Sequence, residues 1–502
     1  MLTPIATLDA ALAGVGLFCI YKIATRKSLG PLPPGPKGLP LLGNVLDMPK
    51  EKEWLTFAKW GEMWGDLVTI KIFGQPFIIL NNINVAAELL DERSAINSDR
   101  PVVPMGGELV GWKNTLVLIP YGARFRSFRK KFHQVIGTPA MMKQFEPTEE
   151  HETQKFLRRL LKSPEDLGAH VRKMAGAIIL QISHGYTVME GTDPFVTLAD
   201  EATEQFSYST APGGFLVNLV PPLAYLPDWF PGTGFKQTAK EWAKTLDETV
   251  SYPFRFVKEQ MASGTAEKSF VSALLEEPVT PEEENDIKWS AASLYTGGAD
   301  TTVASNYAFF LAMTLYPEVQ KKAQAELDAV VGPNRLPTFQ DRPNLPYMNA
   351  VALEALRWHS VAPTSVPHRT TEDQFYKGYF IPKGTLFLTN IWKMMHDPTV
   401  YSNPSEFRPE RFLGDAPERD PRDACFGFGR RICPGRVLAD ASVFIATAMT
   451  LATLKISKVV EDGKVVTPVV DQTTGTISHP IPFKCSIEPR SEKATALIFA
   501  EP

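Results

Sequence analysis

Apolar positions recur every three to four residues through most of the chain, which predicts a mainly helical protein. Two segments show the pattern strongly: VLADASVFIATAMTLATL from Val437 and SAASLYTGGADTTVASNYAFFLAM from Ser290. Two others carry the β-branched and aromatic runs of strands, DLVTIKIFGQPFIIL (Asp66 to Leu80) and GTLFLTNIW (Gly384 to Trp392). The fold class expected is therefore mainly α with a minor β portion.

The chain opens differently. IATLDAALAGVGLFCIYKIA, Ile5 to Ala24, is mostly apolar and has the length of one bilayer crossing. No basic residue precedes it, while Lys22 stands near its end and Arg26 and Lys27 follow, so it reads as an uncleaved anchor with the body of the protein in the cytosol. Asp9 favours the competing reading, a helix buried in a soluble domain. GPLPPGPKGLPLLGN, Gly30 to Asn44, cannot continue a helix and reads as a stiff spacer, with Leu39, Leu41 and Leu42 ready to dock. The division expected is an N-terminal transmembrane anchor at 1–26, a proline-rich linker at 27–50 and one catalytic domain at 51–502.

Composition adds two exclusions. A net charge of −4 argues against a nucleic-acid binder, and four cysteines with no Asn-x-Ser/Thr acceptor argue against a disulfide-built secreted protein. Three of those cysteines, Cys19, Cys425 and Cys485, suit ordinary packing. Cys433 does not, because FGFGRRICPG (Phe426 to Gly435) surrounds it with glycines and with Arg430, Arg431 and Arg436 just ahead of a helix. Positive charge and a helix N-terminus favour thiolate over thiol, as a nucleophile or a metal ligand would require. The chain has no CxxC or HExxH spacing for zinc and no complete GxGxxG or Walker loop for a dinucleotide. A haem iron needs only one sulfur.

Phe426, Gly429, Arg431, Cys433 and Gly435 fill every fixed position of F-x-x-G-x-R-x-C-x-G, and here the chain resembles the cytochrome P450 family. LEALR places Glu354 and Arg357 on one helical face, a spacing more often met as a solvated pair. With PERF following, the resemblance implies a structural Glu-Arg-Arg cluster of Glu354, Arg357 and Arg411. TGGADTT, Thr296 to Thr302, matches the family's distal helix. Small residues there would ordinarily mark a helix–helix contact, but the Thr301 hydroxyl can reach the Gly297 carbonyl and open a notch. By resemblance Asp300 and Thr301 are the acid–alcohol pair that supplies protons during oxygen activation. RFRSFRKKF, Arg124 to Phe132, keeps Arg129 for a haem carboxylate but has Phe125 where the family has a tryptophan donor. Arg431 and His368, with Arg369 as its alternative, are expected on the same carboxylates.

The resemblance covers the chain from anchor to final strands, with the element order of fungal, basidiomycete-like microsomal members. It implies a haem b monooxygenase held in the endoplasmic reticulum membrane by a single pass and facing the cytosol. Lipophilic small molecules such as terpenoids of secondary metabolism, or xenobiotics, would be the substrates. Electrons would come from NADPH through a cytochrome P450 reductase, with cytochrome b5 as a second donor. Arg129, Lys130, Lys131, Arg430 and Arg436 are expected to form the docking face for that reductase. The alternatives are a reductase-independent haem-thiolate isomerase or dehydratase, and a haem sensor or carrier. Substrate-facing stretches are expected at Arg100–Pro120, Phe206–Phe230, Leu294–Ala299, Val361–Val366 and Thr473–Ile477.

Overall fold

A computed structural model describes residues 29–211 and 214–500 of the chain. The anchor at 1–26, with Cys19, lies outside the described residues. Helices α1 (Glu53–Trp64), α2 (Ala123–Ile136), α3 (Glu146–Lys162), α4 (Leu167–His184), α5 (Pro194–Thr210), α6 (Phe235–Ser263), α7 (Pro281–Ala299), α8 (Thr301–Leu315), α9 (Pro346–Trp358) and α10 (Arg436–Thr453) carry most of the mass. The main core joins α2, α3, α4 and α7 through α10, with Phe156, Met174, Phe309, Met348 and Phe444 at its centre. α10 is long and apolar enough to span a membrane, yet most of it is buried in this core.

The minor sheet packs to one side. Its strands are β1 (Leu67–Ile72), β2 (Gln75–Leu80), β3 (His368–Arg369) and β4 (Leu386–Thr389), in the order β1-β2-β4-β3. β1 and β2 form an antiparallel hairpin through Phe73 and Gly74, both at positive φ, as a two-residue turn between twisted strands requires. β2 runs parallel to β4, and β4 pairs His368 with Phe387. The strand pattern predicted through Trp392 ends at Thr389, because the Asn390 side chain caps a short helix, Ile391–Met395. The proline-rich stretch lies along this sheet by its backbone: Thr69 N–H donates to Pro34 O and Phe380 N–H to Pro31 O, each at 2.8 Å. Leu39, Leu41 and Leu42, expected to dock, remain exposed.

One polar group is out of place in the core. Glu149 of α3 is fully buried, with Oε2 accepting from Ser442 Oγ at 2.6 Å and Oε1 without a partner among the described residues. Burial pushes its carboxyl up to about 8, against the Ser442 hydrogen bond. An acid whose folded value lies above its unfolded one keeps its full contribution below the unfolded value, about 4.5, and loses it as pH rises towards 8. Glu149→Gln is therefore expected to raise stability by on the order of 3 kcal/mol at pH 8 and by almost nothing near pH 5. Thermal unfolding at the two pH values measures this, and equal shifts at both would show that Glu149 is ionised in the fold.

Candidate active site

The loop from Phe426 to Gly435 is shaped by its glycines. Gly427 and Gly429 adopt φ of +78° and +59°. A Cβ on Gly429 would sit 2.0 Å from the Leu90 carbonyl oxygen, so no other residue fits. The Gly429 amide donates to Asp91 Oδ1, and the Cys433 amide donates to Phe426 O at 2.8 Å, closing the loop over itself. Gly435 then leads into α10; a Cβ there would stand 3.9 Å from Cys433 Sγ. Burial pushes the Cys433 thiol up, while the Gly435 amide, Arg129 and Arg436 pull it down without overcoming burial. The loop alone thus does not favour thiolate, as its positive flanks suggested. A cation facing the sulfur is needed to tip the balance.

Around the loop lies an excess of buried positive charge. Arg431 donates to the carbonyls of Ser98 at 2.7 Å, Leu116 at 3.3 Å and Ile119 at 2.8 Å, and its guanidinium lies 3.9 Å from the Phe125 ring centroid. Phe125 thus keeps an aromatic platform where tryptophan would also have offered an N–H. Burial pulls Arg431 down to about 10. Arg100, which the sequence reading placed in a loop without giving it chemistry, is also buried and donates to the carbonyls of Val117, Val366 and Pro367. Burial and repulsion from Arg431 lower it well below the usual arginine range. Arg129 donates to Ile432 O at 2.5 Å. Among the described residues none of these three makes an ion pair; Asp99 lies near but accepts from the Tyr121 amide and pairs with Arg369 at 4.0 Å.

His368 completes this wall. Its Nδ1 lies 2.9 Å from the Asn97 carbonyl, which can only accept, so Nδ1 carries the proton and the neutral ring offers Nε2 as an acceptor. Burial, with Arg100 and Arg431 nearby, pushes the imidazole down to about 3. A carboxylate at Nε2 would be bound only with a second proton on the ring. The residues fit an iron porphyrin: one sulfur for the metal, a glycine-lined approach for a flat ring, and unpaired guanidiniums for two carboxylates.

On the distal side the predicted continuous helix breaks. α7 ends at Ala299 and α8 begins at Thr301, with Asp300 between them at φ −115°. Thr301 Oγ1 donates to Gly297 O at 2.8 Å, the back-bond expected from the spacing. The two glycines have different reasons. A Cβ on Gly298 would meet Ile179 of α4 at 2.8 Å, a packing constraint, whereas one on Gly297 would meet nothing within 4 Å. Open space therefore lies beside the Gly297–Thr301 bond. Asp300 binds Arg172 of α4 and His479, two partners the sequence reading missed.

Glu354, Arg357 and Arg411 come together with fully buried side chains. Arg357 Nε and Nη2 grip the Glu354 carboxylate at 2.7 Å each, and Arg411 Nε reaches Glu354 Oε1 at 3.1 Å. A second acid, Glu418, takes Arg411 Nη1 at 2.5 Å. Arg357 also donates to the carbonyls of Met395, Pro404 and Glu406, tying α9 to the chain that leads to the cysteine loop.

The expected docking face is only partly present. Lys130, Arg430 and Arg436 are exposed, but Lys131 is buried on the other side of α2, bonded to Ser127 at 3.0 Å and Glu283 at 3.4 Å. A helix turns about 100° per residue, so neighbours 130 and 131 cannot share a face. Of the expected substrate-facing stretches, Val361 O accepts at 2.8 Å from the amide of Ser478, one residue past Thr473–Ile477, and Leu116 N–H donates to Ser293 Oγ of α7, one residue ahead of Leu294–Ala299. Met105, Trp112, Phe206 and Val217 form an apolar cluster with α6, while Tyr225 and Trp229 stand out in solvent.

The cytochrome P450 family model matches residues 33–485. The chain is 54% identical over 487 residues to cytochrome P450 monooxygenase 208 of Postia placenta, covering 96% of this chain and 95% of that one. It is 48% identical over 495 residues to cytochrome P450 monooxygenase claR of Ampulloclitocybe clavipes, covering 98% and 92%. The chain belongs to the cytochrome P450 family and is a monooxygenase of that family.

Proposed function

We propose that this monooxygenase oxidises a lipophilic small molecule with dioxygen and with electrons passed from NADPH through a separate flavoprotein reductase. The observation that carries the reading is the Cys433 loop bordered by buried guanidiniums that make no ion pair among the described residues. Haem bound there supplies the redox centre and the site of oxygen activation. Cys433 would hold the iron, and Arg100, Arg129 and Arg431, with His368 when protonated, would hold the carboxylates. Thr301 keeps a hydroxyl beside the open space at Gly297, where it can hold a water and pass it a proton. Asp300, next in the chain, is the carboxylate through which that proton arrives. The apolar cluster of Met105, Trp112, Phe206 and Val217 suits a greasy substrate. Exposed Tyr225, Trp229 and Phe230 suit entry from a bilayer, consistent with an anchor at 1–26, a 27–50 strap and a domain facing the cytosol from the endoplasmic reticulum.

Three outcomes are expected. Reduced protein with carbon monoxide should show the absorption band of thiolate-bound haem, and Cys433→Ala should lose it; a band retained in the variant overturns the assignment. Lys130→Glu should slow reduction by the reductase several-fold at low salt and little at high salt. Lys131→Glu should instead lower thermal stability, and stopped-flow reduction alongside thermal melts separates the two. Thr301→Ala should keep haem and substrate affinity while product per NADPH falls several-fold and hydrogen peroxide rises. Unchanged product yield would reduce the Thr301–Gly297 bond to a packing feature.

A further inference from the structure

We infer that His479 is the proton entry for Asp300: its imidazolium hands the Nε2 proton to the Asp300 carboxylate and regains one from solvent. The inference rests on the roles proposed above for Asp300 and Thr301.

His479 Nε2 lies 3.1 Å from each Asp300 oxygen, and Arg172 Nη1 lies 3.1 Å from Oδ1. The carboxylate is thus held between Arg172 and His479. Burial pushes Asp300 up, but the hydrogen bond and charge of His479, with Arg172, outweigh it and leave the group below the usual range. Such a carboxylate carries no proton at rest and has to be loaded. Arginine does not release protons near neutral pH, whereas histidine exchanges them there. Of the two partners only His479 is a source.

The surroundings permit the transfer. The N–H bond breaks at Nε2, an O–H bond forms on Asp300, the electron pair stays on nitrogen, and water restores the imidazolium. Neutralising Asp300 would deprive Arg172 of a partner, but Asp200 Oδ1 already stands 3.3 Å from the same nitrogen. The His479 ring is 21% exposed against 14% for the Asp300 side chain, so it is the more open of the two. His359, the other titratable group near it, is buried, pushed down to about 4 and therefore neutral; its Nε2 lies 2.9 Å from Ser478 O. The loop itself is rigid. His479 N–H donates to Thr473 Oγ1, Thr473 N–H donates to His479 O, and Lys52 pairs with Asp471 at 2.6 Å at its base.

The test uses the full haem-loaded chain with His479→Gln, His479→Lys, Asp300→Asn and Thr301→Ala. Proton–nitrogen spectra of histidine-labelled protein should show an imidazole N–H signal that vanishes in His479→Gln and moves in Asp300→Asn. A signal unmoved in Asp300→Asn overturns the contact. With reductase and NADPH alone, peroxide released per NADPH in the wild type should rise several-fold as pH climbs through the histidine range. In His479→Gln it should be high and flat. Lysine keeps a positive charge against Asp300 but does not yield its proton near neutrality, so His479→Lys should also be high and flat. A wild-type profile in His479→Lys overturns the relay and leaves His479 a structural counter-charge. If Thr301→Ala raises peroxide and His479→Gln does not, this inference alone fails. If Thr301→Ala leaves peroxide unchanged, the underlying reading fails.

Discussion

Arg100 and Arg431 between them hold the carbonyls of Leu116, Val117 and Ile119, both buried and, among the described residues, neither with a carboxylate in ion-pairing range. Removing a guanidinium from water costs several kcal/mol unless opposite charge returns part of it, and backbone carbonyls return only some. The fold therefore keeps a site that gains stability when a dianion arrives. The same constraint explains why Phe125 lies against Arg431, why His368 is neutral at rest, and why the chain is tied down so firmly nearby. An unbalanced charge stays buried only if its walls cannot open.

Those ties come from the ion-paired counterpart. Glu354 and Glu418 face Arg357 and Arg411, with the more exposed Arg408 also 3.3 Å from Glu418, so each buried guanidinium here meets a carboxylate. Nothing further is needed to complete that cluster, and it serves as an anchor for the cysteine loop. Direct pairing with carboxylates thus distinguishes the structural cluster from the binding wall, although both are built from buried arginines.

The distal side works by the opposite device. A helix break at Asp300 frees a carboxylate to meet α4 on one side and the 471–481 loop on the other, while Thr301 turns back to Gly297. The break costs local hydrogen bonding, and Asp300 takes its partners from distant elements instead. Buried ion pairs support the cysteine side, whereas the contacts at Asp300 are drawn from elements far apart in the chain.

The amino-acid order by itself determined whatever depends on close neighbours. The five-point spacing around Cys433, the 3.6-residue rhythm of α10, the Glu354–Arg357 step and the Thr301–Gly297 back-bond were all legible, because each is a matter of a few residues along one element. Tertiary structure alone decided the rest. Arg172 and His479 reach Asp300 from 128 and 179 positions away, and Arg100 meets Val366 across 266. Lys131 looked like its exposed neighbour Lys130 until α2 was set against α7, and nothing local to Glu149 shows that α10 covers it. Charge in a sequence carries no record of its burial, and burial depends on which distant elements close over it.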